Sequence, residues 1–362
     1  MLTREVFEKA GLPRYGGIEA LVAIVIAQTA HLLSVLVLFS LTSVVFAQPS
    51  PWLAFTTASL HIISPAGLFL SAPYAESSCA LLSFIGCFLF TQSLGSHRDA
   101  SARHDILVLL SGASFGIATT FRSNGILNGL LLLEEAFRTL WSLKTKFQFS
   151  TIRRLVATGL GGLSVAVGFL LPQYIAYTEY CGDSDTDRRV WCKNTLPSIY
   201  TFVQDHYWYV SFSFDPSCVD NHRNCGLFRY WTISNIPLLL LATPMFVILT
   251  TSGLWALKFN PEKLRRVMKN AKGTVSRNST QGPVLQVIRN LAVSQLMLVL
   301  LTSTTAHVQI ITRISSAFPV WLWYIAISSR EGKTLLVGRI ITFMVVYSVI
   351  QGGLFASFLP PA

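Results

Sequence analysis

Residues 105–138 read DILVLLSGASFGIATTFRSNGILNGLLLLEEAFR, two apolar runs separated by Arg122-Ser123-Asn124-Gly125. Between such runs the guanidinium of Arg122 sits at membrane depth or at its edge. A charge there is costly unless it faces a polar cavity or a partner, which makes it a functional-site hypothesis by default. The alternative is that Arg122 snorkels to the interface and only anchors a helix end. The rest of the chain decides between the two.

That chain is far more apolar than a soluble domain. Of its 362 residues, 52% are hydrophobic and 12% charged, where soluble proteins carry about 25% charged residues. Apolar runs recur from Ile18 to the C-terminus, each near the roughly 20 residues needed to cross a bilayer as a helix. They do not alternate as barrel strands do. The expected fold class is an all-α polytopic membrane protein with about ten spans, some short or broken, forming a single multi-span membrane domain over residues 1–362. The net charge of +11 lies in short loops and not on one face, which fits the positive-inside rule and argues against nucleic acid as a partner. The polar start, with Glu5, Glu8, Lys9 and Arg14, has no apolar core, so no cleavable signal peptide is expected.

Outward from the opening stretch, the spans are expected near 18–46, 53–71, 78–94, 155–177, 233–257, 287–304, 319–328 and 335–359. Gln48-Pro49-Ser50-Pro51 ends the first. Glu76 falls at the apex of the tight turn between the second and third, or at the start of the third. Arg98 and Arg103 mark one short loop, and residues 138–154 contain Arg138, Lys144, Lys146, Arg153 and Arg154 without an acid among them. With both loops on the cytoplasmic side, residues 105–137 enter and return, and Arg122 to Gly125 form the tip of a helical hairpin on the far side. A long polar loop, 179–232, balanced by acids and holding Cys181, Cys192, Cys218 and Cys225, reads as luminal, because pairing among its cysteines needs an oxidising compartment. The basic loop 258–285 reads as cytoplasmic, so its sequon Asn278-Ser279-Thr280 is expected to be unused. The short span after His307 to Arg313 suits backbone that lines a cavity instead of lipid.

On this topology one face gathers Glu76, Arg122, Ser123, Asn124, the 179–232 loop, His307, Gln309 and Arg313. Arginines bind phosphate through paired, charge-assisted hydrogen bonds and keep their charge when desolvated. A nearby carboxylate could act as general base toward a hydroxyl. The aromatics of the loop equally suit an amphipathic layer at the interface. His97, His104, His206 and His307 lie in separate segments, so no metal site is expected. Neither a phosphate-cradling glycine loop nor a serine triad is visible.

Five ordered motifs also resemble a known family. Ser64-Pro65-Ala66-Gly67-Leu68-Phe69-Leu70-Ser71-Ala72-Pro73-Tyr74-Ala75-Glu76-Ser77 is the first, and Phe121-Arg122-Ser123-Asn124-Gly125 the second. Then come Pro197-Ser198-Ile199-Tyr200 with Tyr207-Trp208, Phe228-Arg229-Tyr230-Trp231-Thr232, and His307-Val308-Gln309-Ile310-Ile311-Thr312-Arg313. Together they resemble the PIG-V family over nearly the whole chain. The resemblance implies a GT-C type glycosyltransferase bundle. It implies an α-1,6-mannosyltransferase of the endoplasmic reticulum membrane, with a luminal active site, that moves the second mannose from dolichyl-phosphate mannose onto the GPI-anchor precursor. Its substrates are lipids. It implies no cofactor, since the donor leaves a monophosphate, and a small membrane partner subunit. Arg122, Arg229 and Arg313 become candidates for lipid-phosphate contact. Asn124, Gln204 and Gln309 would hydrogen-bond sugar hydroxyls beside His307, while Tyr207 and Trp208 offer a stacking surface.

The chain departs from the family pattern in two places. The family begins further upstream, with a first helix and a luminal Trp-Asp pair whose aspartate is the expected base; residues 1–17 hold no aspartate, so an N-terminally shortened chain is expected, or Glu76 acting alone as base. Residues 211–225 interrupt the pattern and contain Cys218 and Cys225, so the expected disulfide joins Cys181 to Cys192, a loop closure of about 3 kcal/mol. A polytopic lipid transporter, which would need paired broken helices in two related halves, and an inactive homologue acting as a membrane scaffold are the competing readings.

Overall fold

The computed structural model describes residues 18–46, 51–94, 102–145, 147–181, 190–193, 197–202, 231, 233–261, 281–305 and 307–357. Among these residues every regular element is a helix. Helix α1, Ile18–Phe46, is followed by α2, Trp52–Ile62, α3, Gly67–Ser71, and α4, Glu76–Ser93. The expected second span is therefore broken. Pro65 has no amide hydrogen to extend α2 and biases Ser64 away from helix; Pro73 does the same to Ala72, which is extended at φ −79° and ψ 167°. These two breaks turn the chain so that Glu76 opens α4, where a carboxylate also meets the positive end of the helix dipole.

Helix α5, Ala102–Phe121, stops at Arg122, whose backbone is extended at φ −149° and ψ 131°. A 3-10 turn, Ser123–Asn128, then leads into α6, Gly129–Thr145. The turn is possible because residue 125 is glycine: a Cβ there would lie 2.8 Å from the Thr119 amide nitrogen and 2.9 Å from the Ala118 carbonyl carbon. Helix α7, Phe149–Tyr180, is 32 residues long and so about 48 Å, well beyond a hydrocarbon layer of about 30 Å. It crosses α5 on glycine. A Cβ on Gly112 would meet the Gly161 Cα at 2.3 Å, and one on Gly168 would meet the Gly116 carbonyl oxygen at 2.1 Å. In lipid, where no hydrophobic force drives helices together, small residues that allow such approach are what make the contact.

The second half of the chain comprises α8, Ile236–Leu257; α9, Gln281–Thr305; the short α10, Ile311–Ile314; α11, Val320–Arg330; and α12, Thr334–Ala356. Gln295 ties α9 to α8 through the Leu249 carbonyl and Ser252 Oγ, both at 2.8 Å. The segment through α10 and helix α11 are bent by 79°. Helix α11 has only 11 residues but is almost wholly buried, with Trp321 and Trp323 fully enclosed. Protein and not lipid covers most of its length, from Val320 to Ser328, which removes the length requirement. Trp323 donates to Thr42 Oγ1 at 2.9 Å and so fastens α11 to α1.

Among the described residues six helices, α1, α5, α7, α8, α9 and α12, are long and apolar enough to cross a membrane by themselves, and the bent pair raises the count to seven. The other expected spans are helical but shorter or more polar. The chain is a polytopic all-α membrane protein; Leu21, Val25, Leu32, Leu170, Leu335 and Val349 turn exposed apolar surface outward as lipid-facing helices do. The expected boundary at about residue 155 is corrected: α7 begins six residues earlier and carries Arg153 and Arg154 in its first turns. Nor do these arginines lack acids. Arg153 pairs with Asp105, and Arg154 reaches Glu135 Oε1 at 3.0 Å, the His104 carbonyl at 3.1 Å and Ser93 Oγ at 3.1 Å. Glu134 accepts from Gln286 at 2.6 Å and Asn290 at 2.9 Å on α9. This network joins the last turn of α4 and the first turns of α5, α7 and α9 to the middle of α6. Arg154→Leu leaves the mostly buried Glu135 without its counter-charge and is expected to cost about 3 kcal/mol, read as a lowered melting midpoint in detergent.

Candidate active site

Glu76, Arg122 and Arg313 meet. They are separated by 46 and 237 residues in sequence, and the proline breaks, the 3-10 turn and the α10 bend bring them to one point. Glu76 is 2% exposed. Its Oε1 accepts from Arg313 Nε at 2.8 Å and Nη2 at 2.6 Å, and also from Arg122 Nη1. The arginine side chains keep 16% and 18% of their surface open, against 1% for the Glu76 side chain. Oε2 of Glu76 is buried with no hydrogen-bond partner among the described residues. Two guanidiniums against one carboxylate leave these three side chains with one net positive charge.

Aromatic rings set the position of Arg313. Its guanidinium lies 4.1 Å from the Phe69 ring centre and 5.1 Å from that of Tyr74, whose rings meet edge to face at 5.3 Å. Such stacking suits a guanidinium that must be partly desolvated yet stay charged. Phe69 and Tyr74 were absent from the sequence-derived site, although both lie in the proline-rich stretch before Glu76. Their signal was an aromatic on either side of a helix break.

The neighbouring tip of the α5 hairpin is polar. Ser123 Oγ donates to the Tyr200 hydroxyl at 3.1 Å, Ser198 Oγ bonds Gln173 Oε1 on α7, and the Phe169 and Tyr200 rings are 6.2 Å apart. Residues 197–202 thus dock against both the tip and the end of α7. Asn124 Oδ1 is buried and has no hydrogen-bond partner among the described residues. Cys181 and Cys192 are joined as a disulfide with Cα atoms 5.7 Å apart, beside the fully buried Trp191. His307 and Gln309 lie half-buried in the short turn that precedes Arg313. Gln204, Tyr207, Trp208 and Arg229, with Cys218, Cys225 and the sequon at Asn278, lie outside the described residues.

Two arginines that converge on a buried carboxylate within a helical membrane bundle have the chemistry to hold an anionic group. Comparison with known proteins narrows this. The sequence matches the family described as Mannosyltransferase (PIG-V) over residues 3–362, and the chain belongs to that family of glycosyltransferases. It is 46% identical to a protein of Chaetomium globosum named GPI mannosyltransferase 2, over 95% of this chain and 71% of that one. A protein of the same name from Gibberella zeae is 43% identical over 95% of this chain and 75% of its own length. Another, from Aspergillus oryzae, is 38% identical over 94% and 74%. No solved structure matches the chain.

Proposed function

We propose that the chain, as one multi-span domain, transfers the second mannose of the GPI-anchor precursor from dolichyl-phosphate mannose, through an α-1,6 linkage, at the luminal face of the endoplasmic reticulum membrane. The observation that carries this reading is the convergence of Arg122 and Arg313 on the buried Glu76. A lipid-linked sugar phosphate is a phosphodiester with one negative charge, which the single net positive charge of the three side chains matches. In the transfer, the bond from the sugar's anomeric carbon to the phosphate oxygen breaks and one to the acceptor hydroxyl forms. The hydroxyl proton is released, and the phosphate leaves as a monoester with a second negative charge. Guanidiniums already in place for that charge stabilise the transition state more than the ground state, which is what accelerates the step.

Around this centre, Asn124 is assigned to a sugar hydroxyl. Gln204, Gln309 and His307 are assigned to further hydroxyl contacts, Tyr207 and Trp208 to stacking, and Arg229 to the phosphate. A small membrane partner subunit belongs to the same reading.

The test is mannosyl transfer in microsomes from cells that lack the endogenous enzyme and express this chain. Arg122→Ala is expected to lower the rate by about 100-fold, and Arg122→Lys to recover part of it, because lysine restores the charge but not the two-pronged donor geometry. Transfer by Arg122→Ala at the unsubstituted rate would remove the phosphate role.

A further inference from the structure

We infer that Glu76 is a positioning residue that holds Arg122 and Arg313 in place for the phosphate, and not the base that deprotonates the acceptor. For its purpose this rests on the donor-phosphate reading; its structural content does not. All three N–H contacts from the two guanidiniums end on one oxygen, Oε1. The other oxygen is buried and meets no donor among the described residues, and the whole residue is 2% exposed while both arginines are only half-buried. A base must reach the proton that it removes, within hydrogen-bond distance or through one water. At 2% exposure, with Oε2 buried as well, this carboxylate offers an arriving hydroxyl no such reach.

What the carboxylate does in that position follows from charge. Without it, two guanidiniums would face each other in a partly desolvated pocket and repel. With it, they are drawn to one point, and the Phe69 and Tyr74 rings fix the plane of one of them. An arriving phosphate then meets donors already ordered, and the cost of ordering them has been met in folding rather than in binding. In the absence of Glu76, a phosphate would serve as the missing counter-ion.

That last point supplies a test that a general base would not pass. The full chain in detergent micelles is heated with and without citronellyl phosphate, a short prenyl phosphate, with citronellol as the uncharged control. Glu76→Gln is expected to melt several degrees below the unsubstituted chain and to gain more from citronellyl phosphate than that chain does. Adding Arg313→Gln to Glu76→Gln removes the repulsion and is expected to raise the midpoint again. If Glu76→Gln alone fails to fold, recovery of folded protein by the double substitution carries the same meaning. Glu76→Gln with the midpoint and phosphate response of the unsubstituted chain would overturn the inference, as would a double variant no more stable than the single one. If citronellyl phosphate moves none of the midpoints but Arg313→Gln still rescues, the donor-phosphate reading falls and the brace stands.

Discussion

Arg313→Ala is expected to lower mannosyl transfer by about 100-fold or more, the loss seen when one preplaced donor to a developing anion is removed, while the chain stays folded. The second half of that expectation comes from the geometry. Arg313 supplies two of the three N–H contacts to Glu76 Oε1, but Arg122 keeps the third, so the carboxylate is never left unpaired. What disappears is the net positive charge, since one arginine against one carboxylate is neutral. The void falls over Phe69 and Tyr74, which lose a stacking partner but remain packed on each other. Transfer assayed in microsomes beside the melting midpoint separates the two effects. A fall in both together would make Arg313 a structural residue, whereas a fall in transfer with the midpoint held ties it to the reaction.

Gly168→Val is expected to prevent accumulation of folded protein. Its Cβ would lie 2.1 Å from the Gly116 carbonyl oxygen and 2.8 Å from the carbonyl carbon, and backbone cannot swing aside as a side-chain tip can. Overpacking of an ordinary core costs about 1–3 kcal/mol; here the only relief is to separate α5 from α7 along the glycine contact. Separation also moves Arg122, which follows the last residue of α5. Gly159→Val and Gly162→Val are the matched controls: they lie on the same helix and a Cβ at either meets nothing within 4 Å. Size-exclusion profiles of the three variants in detergent should show the first collapsed or aggregated and the other two intact.

The hairpin around Arg122 was legible in the sequence because charge announces itself in an apolar run, and the cost of burying it demands a partner. Glu76 and Arg313 were legible for the same reason. Their meeting through one oxygen was not, since it depends on the proline breaks at Pro65 and Pro73 and on the bend after α10, whose angles no local pattern encodes. The reading of Arg153 and Arg154 as loop residues failed because a cluster of basic residues looks alike in a loop and in a helix whose counter-charges come from elsewhere. Asp105 and Glu135 supplied them from two other helices. The glycines of α5 and α7 were present in the sequence without their partners, for register between helices in lipid follows from pairs of small residues that a single chain does not match up.

The order in which the charges at Glu76 are acquired bears on biogenesis. As the chain leaves the ribosome, Glu76 and then Arg122 enter the membrane early and can neutralise each other, so neither has to stand alone in lipid while the rest is made. Arg313 follows 191 residues after Arg122, and only its arrival turns a neutral pair into a cationic centre. A nascent chain halted before α10 would therefore carry a hairpin that is electrically silent toward anionic lipids. The site gains its charge only after α1 to α9 have been made, and α12 then closes over it through Tyr347 against Thr312 and Phe355 against Tyr74.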